Sequence, residues 1–103
     1  MLKSTYHVFF GNLANPLRID IISKLKEKPR SVGDISKELG VEQSKISHAL
    51  ASLKSCNIVE VEQKGKSRIY SLKKKTVIPI LNLIDKHAKT FCGGNCKECG
   101  GGR

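Results

Sequence analysis

Acid is scarce in this chain of 103 residues, where nine Asp and Glu stand against 19 Lys and Arg, a formal net charge of +10. Between Glu62 and Asp85 there is no acid at all. Other features are missing altogether. No apolar run approaches the roughly 20 residues that a membrane span needs. The opening Met1-Leu2-Lys3-Ser4-Thr5-Tyr6-His7 holds no apolar signal core, so a cytoplasmic protein without membrane attachment is expected. There is no internal repeat. No nucleophile–base pair, phosphate loop or paired-carboxylate site is present, so an enzyme is not expected. The length allows one domain whose small core a subunit partner would help to complete.

What is present is positive charge in clusters and four cysteines. Lys64, Lys66, Arg68, Lys73, Lys74 and Lys75 fill the acid-free stretch. A second basic run, Lys24, Lys26, Lys28 and Arg30, is broken only by Glu27. Clustered positive charge seeks polyanions, because releasing condensed counterions from nucleic acid is favourable. Cys56, Cys92, Cys96 and Cys99 do not count as a disulfide framework in a reducing compartment; thiolate ligands or redox groups are the expected use.

Periodicity orders the chain. Tyr6, Val8, Phe9, Phe10 and Leu13 fit a short first helix over 3–13. Asn15-Pro16 caps and opens a second, with Leu17, Ile21, Ile22 and Leu25 as its apolar stripe and Lys28-Pro29 as its end. Ser31-Val32-Gly33-Asp34 has the spacing of a capping box, and Gly40 supplies the left-handed turn that ends the third helix. A fourth follows at once with Ile46, Ala49, Leu50 and Leu53, so that helices three and four form a helix-turn-helix. The period then falls to two over Ile58–Glu62 and Ser67–Leu72, a β-hairpin turning at Lys64-Gly65-Lys66. Val77 to about Phe91 forms a last helix with Val77, Ile80, Leu81, Ile84, Ala88 and Phe91 on one face. The expected fold is mainly helical, a winged helix-turn-helix of order α-α-α-α-β-β-α. Residues 1–91 form this domain, and residues 92–103 form a flexible Cys- and Gly-rich tail.

The outer face of the fourth helix carries Gln43, Ser44, Lys45, Ser47, His48 and Lys54, donors and acceptors suited to base edges and phosphates in a major groove. Lys64 and Lys66 sit at the hairpin tip with Arg68 beside them, placed for a neighbouring phosphate or minor groove. His48 leaves three uses open: a DNA contact, a hydrogen bond within the turn, or a metal. Double-stranded DNA is the expected partner. The last helix is too apolar for the surface of a small monomer, so a homodimer is expected.

Leu13-Ala14-Asn15-Pro16-Leu17-Arg18-Ile19, the helix from Val41 to Leu53, and Gly65-Lys66-Ser67-Arg68-Ile69-Tyr70-Ser71-Leu72 together resemble the ArsR/SmtB family of winged-helix repressors over roughly residues 9–91. The resemblance implies a symmetric dimer built on the first and last helices. It also implies a pseudo-palindromic operator and an inducer that releases the DNA. Two of the family's usual metal sites lack their ligands. One subgroup opens its third helix with Cys-Val-Cys-Asp, where this chain has Ser31-Val32-Gly33-Asp34. Another binds zinc along the last helix, where Lys74, Thr76, His87 and Thr90 stand here, with only His87 a ligand type.

Cys92-x3-Cys96-x2-Cys99 remains, a compact set of soft ligands suited to zinc, cadmium, lead, copper(I), arsenic(III) or an iron–sulfur cluster. Cys56 is a candidate fourth ligand. It matches a position used by a cadmium- and lead-sensing branch of the family, although that branch has a second Cys where this chain has Ser52. Its plainer use is as a small buried residue. A thiol-redox or iron–sulfur switch on the same fold competes with metal release. So does a winged-helix adaptor for protein contacts with a zinc-stabilised tail, which Glu60 and Glu62 near the wing favour.

Overall fold

The computed structural model describes residues 2–91, with side chains described from Tyr6 to Thr90. Its elements are α1 (Leu2–Leu13), α2 (Pro16–Glu27), β1 (Arg30–Ser31), α3 (Val32–Leu39), α4 (Gln43–Ser55), β2 (Val59–Lys64), β3 (Ser67–Leu72) and α5 (Val77–Phe91). The expected helices and hairpin are all there. Cys92, Cys96, Cys99 and the rest of the expected tail lie outside the described residues.

Local chemistry sets the boundaries. The Asn15 side chain accepts from the Arg18 backbone N–H at 3.1 Å, and Pro16 occupies the first helical position, where a missing N–H costs nothing. Ser31 accepts from the Asp34 N–H at 3.1 Å while the Asp34 carboxylate accepts from the Ser31 N–H at 3.3 Å, a complete capping box. Gly40 takes φ 67°, as a left-handed helix terminus requires. At the end of α4 the Ile58 N–H bonds the Leu53 carbonyl and the Asn57 N–H bonds that of Lys54, both at 2.9 Å. This pairing, with Asn57 at φ 58°, is a Schellman turn; it fixes the direction in which the chain leaves α4 for the hairpin.

The sheet has three strands in the order β1-β3-β2, all antiparallel. β2 and β3 pair from Val59↔Leu72 to Lys64↔Ser67, so the turn is the two residues Gly65-Lys66, with Gly65 at φ 62°. β1 was not expected. It pairs Arg30 with Tyr70 and Ser31 with Ile69 on the other edge of β3. Pro29 keeps Lys28 extended and so leads the chain out of α2, but two residues carry too little periodicity to be read as a strand.

The core lies between the helices and the root of the sheet. Ile21, Ile22 and Leu25 of α2, Ile35 of α3, Ile46, Ala49, Leu50 and Leu53 of α4, and Ile58, Val59 and Leu72 are all buried. Truncating one of the larger of these to Ala costs about 2–5 kcal/mol. One charged residue joins them. Arg30 donates from Nε to the Lys24 carbonyl at 3.0 Å and pairs with Glu27 at 2.7 Å and with Glu38. Lys24 also pairs with Glu38, at 3.5 Å. Lys24 and Arg30 of the second basic run are thus neutralised within the fold rather than left open for a polyanion.

The chain divides into two compact units, one ending at Lys73 and the other beginning at Lys74. In the second, α5 runs as one helix with Leu83 and Ile84 exposed. In the first, Tyr6, Val8 and Phe10 of α1 are exposed. Among the described residues no helix is long and apolar enough to cross a membrane.

Candidate nucleic-acid interface

Four buried residues, Ile46, Ala49, Leu50 and Leu53, fix how α4 is rotated on the body of the protein. That rotation leaves Gln43, Ser44, Lys45, Ser47, His48 and Lys54 exposed, as helical spacing demands. The turn before α4 is braced from below: Ser36 donates from its hydroxyl to the Val41 carbonyl at 2.5 Å. The outer face of α4 therefore stands on a helix packed against α3 and joined to it by a braced turn.

The hairpin carries the second set. Val61 and Tyr70 are half-buried at its root, whereas Glu62 to Arg68 are exposed throughout. Lys64, Lys66 and Arg68 project from this free ribbon. Gln63 stiffens the tip by donating from Nε2 to the Gly65 carbonyl at 2.9 Å. Glu62 lies 3.8 Å from Lys64, and Glu60 lies 3.7 Å from Lys73. Each acid near the wing thus has a lysine beside it. Among the described residues no carboxylate forms an ion pair with Lys45, Lys54, Lys66 or Arg68.

The structure separates the other candidates. Cys56 caps the C-terminus of α4, half-buried, with its sulfur accepting from the Asn12 amide of α1 at 2.6 Å. The Asn12 carbonyl oxygen in turn accepts from the Arg18 guanidinium. Cys56 is therefore a hydrogen-bonded residue joining two helices rather than a simple apolar filler. Among the described residues no three His, Cys, Asp or Glu come together as a metal site. His87 lies exposed on α5.

Arg18 and Asn12 were missed as functional candidates. In the sequence Arg18 is one letter of a helix-opening motif, yet it lines an open cavity with Ser44, Lys45 and His48 of α4. No sequence signal connects Asn12 to Cys56, 44 positions away.

A helix-turn-helix followed by a basic two-stranded wing, with a polar helix face turned outward, defines a DNA-binding regulator of transcription. The comparisons with known proteins agree. Residues 15–61 match the model of the bacterial regulatory proteins of the arsR family. The chain is 35% identical over 79 residues to the HTH-type transcriptional regulator Rv0081 of Mycobacterium tuberculosis, covering 76% of this chain and 69% of that one. The crystal structure of Rv0081 superposes with a TM-score of 0.76 at 32% identity, over 82% of this chain and 86% of the other. The homodimeric winged helix-turn-helix DNA-binding domain of Mb0332 from Mycobacterium bovis gives 0.76 at 26% identity and 85% coverage of both chains. A Synechocystis transcriptional repressor, an SmtB homolog, is 30% identical over 77% of this chain and 60% of its own length. The chain belongs to the ArsR family.

Proposed function

We propose that this chain is a dimeric repressor that leaves its operator when cysteine thiolates bind a thiophilic metal or metalloid ion. Residues 1–91 bind DNA and dimerise, and residues 92–103 carry the sensing thiols. Gln43, Ser44, Lys45, Ser47, His48 and Lys54 face the major groove, while Lys64, Lys66 and Arg68 hold the flanking backbone. The observation that carries the DNA half is the acid-free outer face of α4, held in place by a fully buried inner stripe. For the adaptor alternative, Glu60 and Glu62 each have a lysine beside them, Lys73 and Lys64, which offsets the negative charge they would offer a partner. Dimerisation draws support from Tyr6 at 58% and Leu83 at 66% exposure, and from the homodimeric Mb0332 domain. Two recognition helices related by a twofold axis would lie about 34 Å apart, one turn of DNA. A regulator that reads DNA in this way works in the cytoplasm.

The thiol half rests on Cys56. It stands at the last turn of the helix that would read DNA, so a ligand bond to its sulfur would displace the Asn12 amide and bear directly on α4. The described residues supply this one soft ligand; Cys92, Cys96 and Cys99 would supply the others, for zinc, cadmium, lead or arsenic(III). Coupling between the two sites is reciprocal, so bound DNA would weaken the ion by the same factor.

The test is duplex binding by the reduced full chain, with and without cadmium, lead or arsenite. Affinity should fall steeply with salt, and the ion should add a thiolate charge-transfer band while releasing DNA. A Cys92→Ser/Cys96→Ser/Cys99→Ser variant that still responds fully would exclude those thiols. Release by peroxide alone would establish the redox switch instead.

A further inference from the structure

Between the first turn of α2 and the outer face of α4 lies an open cavity of roughly 260 Å³. Two cations, Arg18 and Lys45, line it, with the Ser44 hydroxyl and the His48 imidazole. Leu17 and Ala49 are its apolar lining, and no carboxylate contributes. Like charges facing one space repel, and an anion seated between them relieves that repulsion. The cavity is several times the roughly 30 Å³ share of a water molecule, which is room for more than a bare ion. A lining that combines apolar side chains with two cations is complementary to a sugar ring bearing a phosphate.

Arg18 is not a loosely held surface arginine. Its guanidinium donates to Asn12 of α1, whose amide donates to Cys56 at 2.6 Å. A fixed guanidinium presents its remaining donors in one direction and loses less freedom on binding phosphate than a free side chain does. The same chain ends on the C-cap of α4, so the arginine and the helix it faces are held by one network.

We infer that this cavity receives a deoxyribose phosphate of the bound duplex, with Arg18 as the phosphate contact and Asn12 as its positioning residue. The inference rests on the proposed DNA binding by α4. A sugar phosphate free in solution has the same chemistry. The duplex is favoured because Ser44, Lys45 and His48 belong both to the cavity and to the face that would enter the groove.

The experiment measures binding of the reduced full chain to a mixed-sequence duplex between about 50 and 200 mM salt. Arg18→Ala should lower the logarithmic salt slope by about one and weaken binding about fivefold near physiological salt. Arg18→Lys, which keeps the charge but not the fork, should keep the slope and lose a few-fold in affinity, and it carries the test if Arg18→Ala does not fold. Asn12→Ala should weaken binding less, and adding it to Arg18→Ala should change nothing further, the non-additivity of one acting through the other. Unchanged duplex binding by both Arg18 variants, with Lys66→Ala still weakened, overturns the inference and leaves the DNA reading standing. Saturable binding of free deoxyribose 5-phosphate that Arg18→Ala abolishes, with duplex affinity intact, overturns it in favour of a small ligand. Absence of salt-dependent duplex binding by the unaltered protein removes both.

Discussion

In the run from Lys24 to Arg30 two of the four positive charges, Arg30 and in part Lys24, turn inward, while Lys26 and Lys28 stay on the surface. Arg30 is 6% exposed and held between Glu27 and Glu38, and Lys24 shares Glu38. From Lys64 to Arg68 the positive charge turns outward on a two-stranded ribbon that touches the body only at its root. The two stretches look alike in composition, and both would count equally toward a nucleic-acid footprint. Burial separates them. A guanidinium near the core must be paired, because an unpaired buried charge costs far more than an ion pair returns. A lysine on a free hairpin meets no such demand, so its charge stays available for a polyanion.

Removing one charge from each stretch should therefore break different properties. The largest effect is expected from Arg30→Ala, which deletes three hydrogen bonds and leaves Glu38 without its arginine. Glu27 is 63% exposed and rehydrates, which tempers the loss. Urea unfolding should show a destabilisation of about 2 kcal/mol, with the salt slope of duplex binding unchanged. A change in slope with stability intact would mean that Arg30 faces DNA after all.

Next come Ser47→Ala and His48→Ala on the outer face of α4. Each should reduce the preference for the operator over mixed-sequence duplex by about 1–2 kcal/mol, with the thermal midpoint nearly unmoved. Equal losses on both duplexes would make these residues backbone contacts rather than readers of sequence. Lys66→Ala should do what they do not. It should weaken binding to every duplex by about 1 kcal/mol and lower the slope by about one, as loss of a single phosphate contact does.

How far the sequence spoke depended on how local each cause is. Asn15 with Pro16, Ser31 with Asp34, and Gly40 each act within one helical turn, so the start of α2 and both ends of α3 are legible from neighbouring letters. The stripe Ile46, Ala49, Leu50 and Leu53 is also local, and it fixes by elimination which residues of α4 face outward. Long-range pairing is not legible in this way. β1 exists because Arg30 and Ser31 find Tyr70 and Ile69 across the sheet, and nothing in the two residues themselves announces it. Arg30 reads as one more basic letter until Glu38 is seen beside it. The chain from Cys56 through Asn12 to Arg18 joins three helices, and its members show no common pattern.

The smallest effect concerns the wing alone. Glu62 and Lys64 lie 3.8 Å apart on one strand, both largely exposed, where an ion pair adds little to stability. Glu62→Gln should therefore leave unfolding within about 0.5 kcal/mol of the parent. Its effect should fall on DNA instead. The carboxylate both offsets Lys64 and repels a phosphate at the tip, so its removal should strengthen duplex binding on the order of twofold at low salt and less as screening grows. The sign matters more than the size. Tighter binding places the tip within a Debye length of the backbone, and weaker binding would mean that Glu62 holds Lys64 in the position from which it reaches DNA. No change at any salt would place the ribbon away from the duplex; the outward charge of the wing would then serve no DNA contact, and binding would rest on α4 alone.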